Sequence, residues 1–198
     1  LSSSSAASDV YKRQDILVNI NIAPTVKMGV NLSVDGKNRI DLQGGGELAY
    51  TMNTLGDSRF TGRYNLTGGF VRYNPPIISE KLFKIQDGSY VSWNGDIADP
   101  QMSITAVETV RTTISEEEKN TRQVNFDISI IIKNSLENLS VSFDLSAPED
   151  LTLQNQLTSL TAEQRASQAM SLLIYNTYTG PGTSTTCLLY TSPSPRDS

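Results

Sequence analysis

The stretch Gly88–Val110, GSYVSWNGDIADPQMSITAVETV, decides the fold because it contains two short strands separated by a polar turn. Its second half alternates with a period of two residues, which is typical of a strand that buries one face. The apolar positions are Met102, Ile104, Ala106 and Val110, and the polar ones are Gln101, Ser103, Thr105, Thr109 and Arg111. A chain built from many such strands must hide one apolar face of a sheet.

The same alternation continues from residue 16 to residue 145, with units separated by Gly, Asn, Asp or Pro. Turn signals include Asp35-Gly36, Asp87-Gly88 and Asn94-Gly95, and Ser115–Arg122 is a charged loop. This pattern predicts roughly ten to twelve strands.

At Pro148 the period changes to that of helices. Leucines between Leu151 and Leu160 indicate a short helix, and Thr161 with Gln164 has the spacing of a capping box for a second one. An apolar stripe at helical spacing follows, formed by Ala162, Ala166, Ala169, Met170, Leu173 and Ile174. The sequence therefore predicts a mainly β body, residues 15–147, with a helical cap, residues 148–182.

Both ends of the chain differ from this domain. Residues 4–14, SSAASDVYKRQ, match the in-frame translation of a transposase-type sequencing adapter, and residues 187–198 resemble the opposite strand of such an adapter. We therefore interpret residues 1–14 and 187–198 as adapter-derived tails and residues 15–186 as the domain. Segments upstream, including any signal or anchor, are expected to be missing.

The composition limits the chemistry. The chain has no histidine, and its only cysteine, Cys187, lies in a tail. These counts exclude a Ser-His-Asp triad, a Cys-His pair and the usual zinc or copper sites. A formal net charge of −5 argues against nucleic acid as a partner. We expect no enzyme activity, no cofactor and no metal.

Three motifs are better explained by turns than by chemistry. Asp96 and Asp99 could form a carboxylate pair, but Asp beside Gly or Pro is typical of turns. Gly44-Gly45-Gly46 lacks the rest of a phosphate-binding loop and favours a turn or bulge. Lys37 and Arg39 occupy ligand positions of a superficial calcium-loop match and argue against calcium.

The one-sided strands leave two interpretations open. A sandwich or barrel would consume the apolar face in a closed core, as in a structural or adhesive β-protein without a lipid ligand. An open or half-closed sheet would instead form a trough for acyl chains. Periodicity alone does not choose between them.

The segment Gly62–Val110 resembles the C-terminal domain of the translocation and assembly module protein TamB. The resemblance rests on a Gly-x-Tyr strand, a Gly-rich lead, an F-x-I-x-x-G-x-aromatic unit and a D-P-x-apolar-x-apolar-x-A unit. Here these are Gly62, Tyr64, Gly69, Phe83, Ile85, Gly88, Tyr90, Trp93, Gly95, Asp99, Pro100, Met102, Ile104 and Ala106. Residues 145–180, LSAPEDLTLQNQLTSLTAEQRASQAMSLLIYNTYTG, are similar to the closing segment of that family.

The resemblance implies a curled, partly open β-sheet with a hydrophobic interior, a β-taco or half-pipe, closed by one or two C-terminal amphipathic helices. It implies a periplasm-facing module of a Gram-negative envelope protein, with an inner-membrane anchor on the upstream polypeptide and an outer-membrane barrel of the TamA/BamA kind as partner. The implied function is non-catalytic: phospholipid transport to the outer membrane, with support of outer-membrane protein assembly and secretion.

Under that interpretation the apolar positions of the strands shield phospholipid acyl chains, because each exposed CH₂ group costs about 0.8 kcal/mol in water. The groove candidates are Val26, Met28, Val30, Leu32, Leu48, Tyr50, Met52, Tyr64, Leu66, Met102, Ile104, Phe126, Ile128, Ile130, Ile132, Val141 and Phe143. Candidates for contact with the partner barrel, on the second helix, are Met170, Leu173 and Ile174.

Overall fold

A computed structural model of the chain describes residues 14–116 and 120–180. The described residues form one sheet of eight strands followed by two short helices. The strands are β1 (Ile16–Asn31), β2 (Arg39–Met52), β3 (Ser58–Tyr73), β4 (Lys81–Ile85), β5 (Tyr90–Gly95), β6 (Gln101–Glu116), β7 (Asn120–Ser135) and β8 (Ser140–Ser146), and the helices are α1 (Leu151–Ser159) and α2 (Ala162–Tyr175). The predicted fold class is confirmed, and the adapter interpretation of residues 1–13 and 187–198 lies outside the described residues.

The sheet is an antiparallel meander in which consecutive strands pair with each other, except β4 and β5, which both pair with β3 and β6. Strands β4 and β5 lie one after the other in the same position, between β3 and β6. Asp87-Gly88 forms the predicted turn, closed by a bond from the Ser89 amide to the Gln86 carbonyl at 3.3 Å, but the chain continues in the same direction beyond it instead of reversing. Ser89 bridges to β6 within an irregular stretch: its hydroxyl accepts from the Thr105 amide at 3.1 Å.

The described strands are fewer than the predicted ten to twelve because β1, β2 and β3 each continue past a predicted break, β3 through Gly68-Gly69. β1 continues through Pro24 with a shift of register between Ile22 and Val26. β2 continues through Gly44–Gly46, with a second register shift between Gln43 and Gly44. A bulge absorbs each residue that the sequence pattern treats as a break.

The turns are partly as predicted. At Asp35-Gly36 the Asp35 carboxylate accepts from the Ser33 hydroxyl at 2.6 Å and from the Lys37 amide at 3.0 Å, which confirms a turn there. Asn94-Gly95 still belongs to β5, and the reversal comes later, around Asp96–Pro100. The charged loop is shorter than Ser115–Arg122, since β6 extends to Glu116 and β7 begins at Asn120.

Aromatic contacts demonstrate that the sheet curls. The ring of Tyr73 on β3 lies 5.5 Å from the ring of Phe143 on β8, and the ring of Phe83 on β4 lies 6.4 Å from it. In a flat sheet β3 and β8 would be four strand spacings apart, about 19 Å. The two sides of the sheet therefore bend towards each other over its apolar face. We call Tyr73, Phe83 and Phe143 the aromatic bridge.

The curled sheet does not close into a barrel within the described residues. β1 pairs with β2 alone, and β8 pairs with β7 alone. Both edges therefore leave backbone N–H and C=O groups without a strand partner. The sheet is a half-pipe with an apolar inner face, as the family resemblance implies.

The two helices begin where the sequence predicts. Asp150 caps α1 by accepting from the Leu153 amide at 3.1 Å. Thr161 and Gln164 form the predicted capping box at the start of α2, with bonds of 3.2 and 2.8 Å. A capping residue of this kind stabilises a helix by about 1 kcal/mol.

The predicted apolar stripe of α2 is only partly correct. Ala169 and Leu173 are buried, but Ala162 and Ile174 are exposed. The buried face of α2 also contains Gln168, Ser171 and Leu172, which the pattern of apolar residues did not select. Neither described helix combines the length and the hydropathy that a membrane crossing requires.

The glycines of β2 allow a close approach of three strands. A Cβ atom on Gly46 would collide with the carbonyl oxygen of Arg63 on β3, and one on Gly45 would collide with the backbone of β1. We expect Gly46→Ala to lower the free energy of unfolding by about 2 kcal/mol, because the contacted atoms are backbone held in the sheet.

The matched control is Gly68→Ala on β3, whose new Cβ would meet only the Gln43 side chain, at 3.9 Å. Urea denaturation of both variants measures the difference. Equal stability of the two would contradict a close approach at Gly46.

Candidate functional site

The predicted groove residues divide into three groups by exposure. The buried ones are Leu48, Tyr64, Leu66, Met102, Ile104, Phe126, Ile128, Ile130 and Ile132, and all of these except Leu48 belong to the core cluster. Half-buried ones are Met28, Val30, Leu32, Tyr50, Met52 and Phe143. Exposed ones are Val26 and Val141, at 43% and 46%. All three groups belong to the same apolar face, but the chain covers that face unevenly.

The helices and the segment after them cover one side of the inner face. Leu153 and Leu157 of α1 belong to the same core cluster as Phe126 and Ile128 of β7, and so does Leu172 of α2. Their burial removes apolar surface from water at about 25 cal/mol per Å². The covered part of the groove therefore holds the protein's own side chains.

The five residues Asn176–Gly180, which we call the return segment, continue this cover beyond α2. The ring of Tyr178 stacks on the ring of Phe126, with centroids 4.9 Å apart and an angle of 22° between the planes. The hydroxyl of Thr112 on β6 donates to the Asn176 carbonyl at 2.7 Å. Asn176 itself has φ of 52°, the left-handed conformation that ends α2 and turns the chain back.

Two buried polar residues of α2 hold the return segment in place. The Gln168 side chain donates to the Gly180 carbonyl at 3.0 Å and accepts from the Thr179 amide at 3.2 Å. The Ser171 hydroxyl donates to the Thr177 carbonyl at 2.9 Å. These bonds explain why an amide and a hydroxyl are buried on the face of a helix that packs inward.

Two ion pairs attach the helices to the sheet. Asp150, the cap of α1, pairs with Arg122 of β7. Arg165 of α2 donates to the Asp144 carboxylate of β8 at 2.7 Å, and to the Leu160 carbonyl at the end of α1 at 2.7 Å. Together with the bond from Thr112, these contacts attach the cap to β6, β7 and β8.

The other side of the inner face, along the edge strand β1, is only thinly covered. Ile16, Val18, Ile20 and Val26 are 36–44% exposed, although register places them on the same face as the buried Leu48 of β2. We call these four residues the open margin.

Besides its ladder with β2, the open margin is held by side-chain bonds from β3, including one from the Thr67 hydroxyl to the Pro24 carbonyl at 2.9 Å. The Tyr64 hydroxyl of β3 donates to the Val26 carbonyl of β1 at 2.6 Å, reaching past the glycines of β2. Tyr64 is fully buried, and burial raises its pKa above the ordinary value of 10.0. The margin is therefore a fixed part of the trough and not a detached strand.

One carboxylate lies on the inner face among the apolar residues. Glu108 of β6 occupies the position between Ala106 and Val110 in the alternation, opposite Ile128 of β7. Its Oε2 atom is buried and has no hydrogen-bond partner. Desolvation raises the pKa of Glu108 above its ordinary value of 4.5, and the charge of Lys81 offsets part of this effect.

Lys81 is the first residue of β4 and shares the face of the buried Phe83 and Ile85. It pairs across strands with Tyr73, a member of the aromatic bridge. The register of β4 and β6, in which Ile85 opposes Ala106, places Phe83 beside Glu108. A cation and an anion thus flank the aromatic bridge, yet they do not form an ion pair with each other.

Sequence reasoning missed Glu108 as a site residue, although the signal was present. It is the one charged residue between Met102 and Ile114 on the apolar face of β6, and a charge among apolar residues is costly unless it has a partner or a function. Lys81 was harder to find because a lysine at the start of a strand is usually a solvated residue.

The two aspartates considered above as a carboxylate pair accept hydrogen bonds from backbone amides in turns. Asp96 accepts from the Ala98 amide at 2.8 Å, and Asp99 accepts from the Glu137 amide at 3.3 Å. Gly44–Gly46 lies inside β2 and not between a strand and a helix, so it cannot form a phosphate-binding loop. A register shift next to Gly44 confirms a bulge at this point of the sheet, with Thr67 of β3 as the unpaired residue, whereas the three glycines pair in register with β3.

Comparison with known proteins gives one match. A family model described as the TamB C-terminal domain matches residues 2–191, which includes the whole sheet, the cap and parts of both tails. No curated protein sequence and no solved structure matches the chain.

The raised pKa of Glu108 predicts how a neutral variant responds to pH. Because the pKa is higher in the folded than in the unfolded chain, the stability contribution of Glu108 is complete below 4.5 and falls as the pH rises through the folded value. We expect Glu108→Gln to raise the free energy of unfolding at pH 7 by at most about 1 kcal/mol, because solvent screens part of the effect at a half-buried carboxylate, with little effect near pH 4.

Urea denaturation at the two pH values measures this difference, and Glu47→Gln on the exposed face of β2 is the control. A destabilisation of the Glu108 variant at pH 7 would indicate that the carboxylate has a stabilising partner and would contradict the prediction.

Proposed function

Because the chain belongs to the family of TamB C-terminal domains, we propose that it is a non-catalytic module that shields phospholipid acyl chains in the trough of its curled sheet. The family places it in the Gram-negative cell envelope. In our proposal the module faces the periplasm near the outer membrane, and a further part of the same polypeptide provides an inner-membrane anchor. The transported cargo is phospholipid, moving from the inner to the outer membrane.

One observation supports this proposal most strongly: the open margin of β1 is apolar, exposed and on the same face of the sheet as the buried core. An acyl chain on Val18 or Ile20 would remove hydrocarbon from water on both partners, at about 25 cal/mol per Å². A continuous apolar surface without a deep pocket binds weakly at each point, which suits a path along which a lipid has to move.

The cap limits where lipid can lie in this conformation. Ile104 and Ile130 are at most 2% exposed, so an acyl chain would reach them only if the cap or the walls moved. The open margin and the half-buried Met28 and Val30 are therefore the proposed first contacts. The remaining groove candidates become available as a second layer once the cap is displaced.

We also propose that the cap contacts an outer-membrane barrel of the TamA/BamA kind and so supports barrel assembly. Ile174 is 39% exposed on α2, and Met170 is half-buried beside it. Leu173 is 3% exposed, packed in the core, and would take part only if α2 left the sheet. The surface for this contact is small, so Ile174 is its centre.

The alternative function is a structural or adhesive β-protein with a closed core and no lipid ligand. Burial of nine of the groove candidates under the protein's own atoms favours it. The exposure of the open margin argues against it, because a closed core would leave no reason for a row of apolar residues on the inner face of β1.

Photo-crosslinking on β1 separates the two functions. A benzophenone amino acid at Val18 would lie on the inner face, whereas one at Leu17, 65% exposed, would lie on the outer face of the same strand. We expect phospholipid adducts at Val18 several-fold more often than at Leu17, in cells and with phospholipid vesicles.

Leu17 is a strict control because it is as apolar as Val18 and more exposed. A difference in adduct yield between the two positions therefore depends on the face of the strand and not on hydrophobicity. Mass spectrometry of the adducts identifies the lipid. Equal capture at the two positions, or capture at neither, would support the closed-core alternative.

A further inference from the structure

We propose that Lys81 and Glu108 form a headgroup site for a zwitterionic phospholipid that carries a primary ammonium, such as phosphatidylethanolamine. Lys81 would bind the phosphate and Glu108 the ammonium. The inference rests on the proposed function, since it assumes that a phospholipid enters the trough. It adds a physical basis on which the trough would bind one phospholipid headgroup in preference to another.

The charges have the required arrangement. Lys81 and Glu108 lie on the inner face, on two neighbouring strands, and the charge of Lys81 acts on the Glu108 carboxylate although the two do not form an ion pair. A direct ion pair between Lys81 and Glu108 would have neutralised both side chains and left neither charge available to bind a ligand. A gap between a fixed cation and a fixed anion matches a ligand whose phosphate and ammonium are separated by a short linker.

The burial of Glu108 supports a bound cation. Its Oε2 atom has neither a protein donor nor access to water, and an unsatisfied buried carboxylate oxygen is costly. A primary ammonium has three N–H donors and would satisfy it. A divalent metal ion is a poor alternative, because the adjacent Lys81 repels it and none of the described acidic residues forms a cluster that could hold a metal.

The surroundings fit a lipid and not a freely soluble ion. Phe83 is fully buried next to Glu108, and Tyr73 lies directly across from Lys81. Fixed charges at the edge of an apolar surface match a molecule with a charged head and a hydrocarbon tail. Lys81 is half-buried at the start of its strand, where the phosphate would keep contact with water.

The test is a competition between headgroups with the full chain. Protein is incubated with vesicles of equal amounts of phosphatidylethanolamine and phosphatidylglycerol, re-isolated, and its bound lipids are counted by mass spectrometry. We expect wild-type protein to enrich phosphatidylethanolamine, and Glu108→Gln to lower the ratio roughly tenfold, the loss of one charge-assisted hydrogen bond. Lys81→Gln is expected to lower the capture of both lipids.

Matched controls exist for both substitutions. Lys84→Gln removes a lysine from the outer face of the same strand, and Glu47→Gln removes an exposed carboxylate from β2. Both should leave the amount and ratio of bound lipids unchanged. Misfolding is not expected to confound Glu108→Gln, since removal of its charge should stabilise the domain at neutral pH.

The outcomes distinguish failure of the headgroup site from failure of the proposed function. Lipid binding with no headgroup preference, or with a preference that survives Glu108→Gln, overturns the headgroup site and leaves the proposed function intact. Absence of any bound lipid in wild type overturns both. A final arm adds free phosphoethanolamine: if it binds in a Glu108-dependent way while vesicle lipid does not, the site serves a soluble headgroup and the lipid assignment fails.

Discussion

The structure depends on one constraint: a sheet with one apolar face has to remove that face from water, and this sheet does so without joining its edges. Antiparallel strands twist and can bend towards each other, which brings Tyr73 of β3 against Phe143 of β8. Curling alone leaves an open trough. The helices and the return segment fill the side formed by β6, β7 and β8, and the side formed by β1 remains thinly covered.

Buried polar groups inside the trough either have hydrogen-bond partners that compensate their desolvation or lack them. Gln168 and Ser171 are buried, but each hydrogen-bonds to the return segment, so their desolvation is compensated. Glu108 receives no such compensation, and desolvation outweighs the attraction of Lys81 in the shift of its pKa. A group of the second class lowers stability, and a functional role is the usual reason for such a group at an inner surface.

Much of the fold followed from sequence because one physical pattern controls it. Period-two alternation identified the apolar face of β6 and β7, and the Thr161–Gln164 spacing located the start of α2. The number of strands was not predicted from the sequence. Bulges next to Gly44 and near Pro24 allow strand pairing to continue where the local sequence suggests a break. Local patterns also gave no information about which part of the inner face the cap covers. That depends on tertiary bonds such as the one from Gln168 to Gly180.

The meander has a consequence for size. Each strand pairs with a neighbour in sequence, so a strand added at either edge would leave the register of the others untouched. Such a sheet has no intrinsic limit on its number of strands, unlike a barrel, in which strand count fixes the diameter. The architecture can therefore be lengthened by simple repetition, and chain length alone sets how far the covered path extends.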